Sequence, residues 1–519
     1  MRLQKLEFSN TRSFASFFLD YIQKKDSLKP FYSRFPEVEN FEAQITEKSK
    51  SYSEANRKVL ADVLNKQYQE IDCTEQVKQN LNSLKENTTF TITTGHQLNI
   101  FTGPLYFIYK IVTVINACKE LKKKYPKYNF VPVYWMASED HDYDEIKYFR
   151  LYGKKHTWET TQTGAVGRFN PESLAKLFSE IPGDIELFKQ AYKQKTLSAA
   201  VRYYVNALFS HEGLLVVDAD DRSLKTLFQD VIRADVFDHT SKKLVEEQNS
   251  KLESLGYHPQ VFARDINFFY LDKNLRSRLE VSGDGFQVID TDLQFSKSEI
   301  EKMIVDEPEK FSPNVILRPL YQEVILPNLA YAGGPAEVVY WLQLKKVFDH
   351  FKVPFPVLMP RNFALIIDAP VSRKFEKTGL AYPHLFEEKN FLFNQWIVKN
   401  TVHDLSLGKE IQTLDHLFSS IRDQAAAIDP TLTKFIEAQK QRALNGLERT
   451  EQKMMRAEKR LHTDKLGQLE AVKEELFPKG SPQERVDNFL NFYQKDPQFI
   501  EHLLKSFDPF DFKFNLLFY

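Results

Sequence analysis

Three short apolar runs, each broken at its carboxyl end by a polar cluster, constrain this chain more than any other feature. Phe90 to Thr93 runs into Gly95 and His96, Phe130 to Ala137 into Ser138, Glu139 and Asp140, and Leu214 to Val217 into Asp218. Runs this short and continuously apolar or β-branched suit strands buried on both faces. Between the first two lies an apolar helix expected from Leu105 to about Leu121, opened by Gly103 and Pro104. Buried strands alternating with helices indicate a parallel sheet, because each right-handed crossover lays a helix on one face. Leu326 to Ala332, Pro356 to Met359 and Leu365 to Ile367 are further strand candidates.

The expected fold class is therefore α/β, a Rossmann-like parallel-sheet core with insertions and an antiparallel helical coiled-coil hairpin. A chain of 519 residues, 42% of them hydrophobic, is too long for one core, since cores stop growing near ~250 to 300 residues. The reading assigns 1–150 to N-terminal helices and the first part of the core, 151–205 to a first insertion, and 206–221 to the core again. It gives 222–312 to a second insertion, 313–370 to the second part of the core, 371–480 to the helical arm, and 481–519 to a segment returning to the core. Residues 1 to about 85 read as helices, with Val59, Val63 and Ile71 spaced by turns. In the arm, Ile411, Leu414, Phe418, Ile421, Ala425 and Ile428 recur at steps of three and four, a heptad seam. Asp429 and Pro430 break it, and Ala443, Leu447, Thr450, Met454, Ala457 and Leu461 line one face of a second, longer helix. Proline cannot continue the first helix but suits the first turn of the next, so the two should fold back antiparallel. The surplus length of the second leaves apolar surface for a partner. Phe477 to Gly480 end the hairpin, and Phe512 to Tyr519 is expected to add an edge strand.

Charge and cysteine content narrow the function classes. With 70 Lys plus Arg against 71 Asp plus Glu the formal charge is −1, so no net field favours nucleic acid or an anionic membrane. Cys73 and Cys118 are the only cysteines and have neither C-x-x-C spacing nor the density of a secreted disulfide scaffold. Arg2, Lys5, Glu7 and Arg12 interrupt the first apolar residues, and the best membrane candidate, Tyr106 to Cys118, carries Lys110 in its middle. A cytoplasmic location is expected.

Five constellations could carry chemistry. In the first, Gly95 lets backbone approach a ligand, His96 can donate to a phosphate or shuttle a proton, Gln97 follows, and the helix starting near Pro104 offers free amides to an anion. The competing reading is a turn capped by His96. The absence of a Walker loop and of G-x-G-x-x-G means that no nucleotide is demanded. The second is the acidic run Glu139, Asp140, His141, Asp142, Tyr143, Asp144, Glu145 at a strand's carboxyl end, suited to an ammonium group, a sugar hydroxyl or a metal, or simply to helix capping. A calcium loop is excluded because Glu145 and Leu151 stand where glycine and glutamate are required. The third is Asp218, Asp220 and Asp221, one of them expected to be a helix cap. The fourth joins Asn314 and Arg318 to Gly333, Gly334, Glu337 and Tyr340, with Arg318 able to grip a carboxylate and the paired glycines opening a second anion-ready helix; its structural alternative is an Arg318–Glu323 ion pair. The fifth, Pro478 to Arg485, contains Gln483 and Arg485.

Taken together, Thr94 to Lys110, Pro132 to Glu145, Leu214 to Asp221, Ser312 to Glu323, Gly333 to Lys345 and Pro478 to Arg485 resemble the bacillithiol-biosynthesis cysteine-adding enzyme family (BshC), in the family's order across nearly the whole chain. The resemblance implies a core related to nucleotide-handling synthetases, connecting-peptide insertions, and a coiled-coil arm that makes a homodimer. The implied reaction is that of a cysteine ligase, joining the carboxyl of L-cysteine to the amino group of glucosaminyl-malate. Activation of a free carboxylate ordinarily takes ATP, so ATP is the expected cofactor, with Mg²⁺ accompanying the nucleotide; no ligand spacing by itself requires a metal. Of the synthetases' histidine-rich signature only Gly95 and His96 are retained, and they join Gln483 and Arg485 as cofactor-binding candidates.

On this reading His96 stabilises developing charge and His141 or Asp142 accepts a proton from the substrate amine. Gly95, Gln97, Glu139, Asp140, Asp218, Asp220, Asn314, Arg318, Gly333, Gly334, Glu337 and Tyr340 bind substrate. Two alternatives stand beside it: a Rossmann-type nucleotidyltransferase or ligase acting on another small acid, and a non-catalytic coiled-coil scaffold, which requires that the polar clusters share no pocket.

Overall fold

A computed structural model describes residues 2–519. Five parallel strands form the central sheet: β1 (Thr89–His96), β2 (Asn129–Met136), β3 (Leu215–Asp218), β4 (Asn328–Gly333) and β5 (Val357–Pro360). Their spatial order is β3-β2-β1-β4-β5. The chain works outward from β1 to β3, then returns to β1's other side with β4. The direction of winding therefore reverses between β1 and β4, and in open α/β sheets ligands bind in the crevice beyond such a reversal.

Alternation within the strands feeds two cores. Ile92, Tyr134 and Val216 pack on one face, Val133, Val217 and Leu358 on the other. The helix Tyr106–Lys124 covers the first face and buries 13 of its 19 residues, which only a helix covered on nearly every side can do. Its outer flank meets the helix Phe499–Ser506, which follows the hairpin in the chain.

The insertions have folds that the sequence did not reveal. Between β2 and β3 lie a short hairpin, Tyr148–Leu151 with Lys154–Thr157, and a group of helices. Between β3 and β4, the strands Phe268–Asp272, Leu275–Ser282, Gly285–Val288 and Gln294–Phe295 meander antiparallel, with Phe311–Pro313 on the far edge.

Three strand expectations need correction. Arg2–Glu7, expected to be helical, is a strand, and it pairs antiparallel with Lys513–Phe518. Lys513–Phe518 is no edge strand: it lies in the middle of a three-stranded sheet, with Phe363–Ile367 parallel to it on the other side. Phe363–Ile367, which contains the Leu365 to Ile367 run, thus leaves the central sheet. Partners some 500 residues distant decide this pairing, and local periodicity carries no trace of them.

The hairpin forms from Gly408–Ile428 and Leu432–Leu461, separated at Asp429, Pro430 and Thr431. The helices pack on each other, bridged by Lys440–Asp415 at 2.7 Å and Arg422–Glu437 at 3.3 Å. Ala443, Leu447 and Met454 are half-buried, whereas Thr450, Ala457 and Leu461 are exposed, so only part of the predicted second face meets the first helix. Among the described residues no helix is long and apolar enough to cross a membrane.

Candidate active site

Beyond the carboxyl ends of β1, β2 and β4 opens a cavity of about 1030 Å³. Its floor is set by β1. Gly95 is the last residue but one of that strand, and a Cβ there would stand 3.2 Å from the Tyr331 hydroxyl and 3.6 Å from Arg318 Nη1. Glycine is therefore what lets these two groups close over the strand end.

Lys110 enters from the buried helix and donates to the Gly95 carbonyl at 2.7 Å while pairing with Glu337 at 2.7 Å. Glu337 also accepts from the Gly334 N–H and the Tyr331 hydroxyl, both at 2.7 Å. Burial pushes this carboxyl up, but Lys110 and the other donors outweigh it and hold the pKa at about 2. Burial pulls Lys110 down and Glu337 opposes it. The two charges thus cancel beneath the cavity floor.

Arg318 behaves differently. Its Nη1 donates to Gln322 Oε1 and its Nη2 to the Tyr340 hydroxyl, each at 3.3 Å. Both acceptors are neutral, and among the described residues no carboxylate forms an ion pair with it. A desolvated guanidinium with uncompensated charge is a receptor for a carboxylate or phosphate. Nearby, the His96 ring packs at 5.2 Å against both Tyr106 and Phe107, and its Nε2 is buried without a partner. Burial, reinforced by Lys110, drives its pKa well below the usual histidine value. His96 is a neutral imidazole.

The opposite wall is acidic. Asp140 accepts from Gln97 at 2.5 Å, from Arg276 at 3.2 Å and from the His141 N–H at 2.7 Å. Burial pushes Asp140 up, yet Arg276 and Gln97 prevail and leave it below the ordinary value. Arg276 Nη1 also lies 2.6 Å from His141 Nδ1. Since a guanidinium only donates, Nδ1 is the unprotonated nitrogen and Nε2 carries the hydrogen. His141 therefore faces the cavity as a donor with its basic nitrogen engaged, and of the two expected proton acceptors Asp142 is the one that keeps an unengaged oxygen, Oδ2. Asp142 also caps the short helix Tyr143–Ile146 through the Glu145 N–H. Glu145 lines the cavity, and burial together with Asp142 and Asp140 raises its pKa. Glu139 lies deeper, paired at 2.8 Å with the fully buried Lys225. Asn314 turns the chain into the helix Arg318–Ile325 by accepting the Arg318 N–H at its carbonyl.

Several expected site residues lie elsewhere. Asp218 takes the Ser138 hydroxyl and Asp220 is gripped by Arg168 at 2.7 and 2.8 Å, so both brace loops and neither lines the cavity. Asp221 is the helix cap of the trio. Gly333 and Gly334 also line no part of it, because Glu337's own carboxylate fills the helix start they open. The helix start near Pro104 is closed too, with the Leu105 N–H donating to the Asp487 carbonyl. Gln483 is buried against the backbone of Ile366. Arg485 lines a separate cavity of about 470 Å³ at the hairpin base. No Arg318–Glu323 pair forms, for Glu323 pairs with Lys48. Conversely, Lys110, Tyr331 and Arg276 belong to the site and were not assigned to it. Lys110 had a signal, a lone charge inside an apolar helix. Arg276 comes from the second insertion, where no pattern marks it.

The family model described as "Bacillithiol biosynthesis BshC, N-terminal Rossmann-like domain" matches residues 1–362, and "Bacillithiol biosynthesis BshC, C-terminal coiled-coil domain" matches residues 364–519. The chain is 40% identical to a protein of Flavobacterium johnsoniae, covering 99% of each, and 40% identical to one of Christiangramia forsetii, covering 99% of this chain and 98% of the other. It is 39% identical to a protein of Cytophaga hutchinsonii, covering 100% of this chain and 99% of that one. All three carry the name "Putative cysteine ligase BshC".

Proposed function

The chain belongs to the BshC family of bacillithiol biosynthesis, and from that premise we propose that it is a cysteine ligase joining the carboxyl of L-cysteine to the amino group of glucosaminyl-malate. The observation that carries the reading is the polarity of the cavity: an Arg318 guanidinium paired only with neutral groups faces a wall of carboxylates across one space. The malate carboxylates suit Arg318, and the glucosaminyl amine and hydroxyls suit Asp140, Asp142 and Glu145. The new C–N bond forms between the amine nitrogen and the cysteine carboxyl carbon as that carbon's bond to one carboxyl oxygen breaks, the oxygen departing with the phosphate group that ATP would supply. The ammonium must first lose a proton, which Asp142 takes in this reading. His96, neutral and with a buried nitrogen lacking any partner, donates to the oxygen on which charge develops.

ATP would supply the activation that the carboxyl needs. His96 fits its phosphates through an Nε2 that has no partner, whereas Tyr331 and Arg318 close over the Gly95 backbone and Lys110 holds its carbonyl; Mg²⁺ would accompany the nucleotide. The scaffold alternative has nothing in its favour, since the polar clusters of β1, β2 and β4 share one cavity. We assign the second copy of a homodimer to the hairpin, where Leu417 and Phe435 are 55% and 59% exposed, and the protein to the cytoplasm.

The test is to incubate purified protein with L-cysteine, glucosaminyl-malate and ATP, and to follow the thiol product and the nucleotide by mass. Formation of the amide with cleavage of ATP is expected. Turnover of another small acid in place of glucosaminyl-malate would move the protein to the rival ligase class.

A further inference from the structure

Gln322 and Glu323 are fully buried and line no part of the cavity, yet they form a chain of hydrogen bonds that ends on Arg318. Glu323 Oε1 accepts from the Gln322 amide nitrogen at 2.9 Å and from Asn328 Nδ2 at 2.6 Å. Its Oε2 takes Lys48 Nζ at 3.3 Å, in a pair exposed by 1% and 0%. Burial pushes the Glu323 carboxyl up while Lys48, Asn328 and Gln322 oppose it; all three partners are donors, so its two oxygens act here as acceptors. That fixes the directions of everything attached to it. With its nitrogen turned to Glu323, Gln322 must present its carbonyl oxygen to Arg318 Nη1, where it is found at 3.3 Å. Asn328 is oriented in the same way, its Oδ1 receiving the hydroxyls of Thr91 at 3.0 Å and Thr93 at 2.8 Å.

Burying a charge pair costs more than an apolar pair of equal volume would, so stability alone does not account for it. Its chemical effect is specific. A carboxylate one residue closer would neutralise Arg318, whereas the relay converts the Glu323 charge into a neutral carbonyl that orients the guanidinium and leaves its charge free for a ligand.

We propose that Glu323, acting through Gln322 and held in place by Lys48, is a positioning residue that sets Arg318 to receive a carboxylate of the acceptor substrate. This deepens the functional reading above and rests on it. The test measures glucosaminyl-malate binding by calorimetry, and steady-state kinetics, for the wild type, Glu323→Gln, Gln322→Glu and Gln322→Met. In Glu323→Gln the relay loses its polarity, and KM for glucosaminyl-malate should rise roughly ten- to a hundredfold, the worth of a hydrogen bond to a charged group. Its kcat should change little and KM for cysteine should stay put. Gln322→Glu should weaken acceptor binding at least as much, because it removes the amide donor to Glu323 and sets a second carboxyl against it. Gln322→Met, similar in volume and without polar ends, keeps the test open should Glu323→Gln fail to fold. If the wild type does not bind glucosaminyl-malate, the functional reading fails. If the wild type binds and the folded variants bind equally well, or lose kcat and both KM values alike, the positioning role is overturned.

Discussion

Glu337 accepts from Lys110, the Gly334 N–H and the Tyr331 hydroxyl, and these hold its pKa at about 2 against an ordinary 4.5. A carboxyl depressed in the folded state contributes stability that is present above its unfolded value and lost as pH falls through the folded one. The contribution here is about 3 kcal/mol. Wild-type stability should therefore drop between pH 4.5 and 2, and Glu337→Gln should flatten that part of a urea-midpoint profile while lowering stability at neutral pH; parallel profiles would dismiss the assignment. His96 carries a second prediction, since its Nε2 has no structural partner to lose. Alanine there should cut kcat by about 10²- to 10³-fold and lower the melting temperature through the lost packing on Tyr106 and Phe107, and wild-type turnover in the folded variant would remove His96 from the chemistry. Legibility at this scale follows locality. Gly95, His96 and the acids after β2 are readable because a strand's end is marked by its own neighbours. Arg276 is not, because it reaches Asp140 from 136 residues away.

At the scale of elements, the runs that became β1, β2 and β3 are legible from continuous apolarity, and their polar ends locate the cavity. Element type was readable wherever burial was symmetric. Arg2–Glu7 hid its nature because only Leu6 is buried in it, so it shows neither a full apolar run nor clean alternation. The hairpin was readable from its heptads, but not which half of the second helix stays uncovered. No residue of Gly408–Ile428 is buried, and Glu458 alone is buried in Leu432–Leu461. A helix pair so poorly covered is suited to a second copy of the chain. Leu417→Glu with Phe435→Glu should convert a dimer to a monomer in sedimentation velocity; an unchanged mass would place the interface elsewhere.

Across the whole molecule, the separation of the second insertion from the core is only apparent, since its strand Leu275–Ser282 supplies Arg276 to the acids after β2. The three-stranded sheet ties more distant parts together: Arg2–Glu7, Phe363–Ile367 and Lys513–Phe518 bring the beginning of the chain, the junction before the hairpin and the segment after it into one unit. Deleting residues 2–7 would bare an edge of Lys513–Phe518. It should lower the melting temperature by several degrees and promote aggregation through that edge, and an unchanged melt would show the strand to be dispensable. The same pairing sets a timetable on the ribosome. At roughly 5 to 20 residues per second, Arg2–Glu7 waits for about half a minute to two minutes before its antiparallel partner is translated. During that interval a chaperone has the first opportunity to shield it.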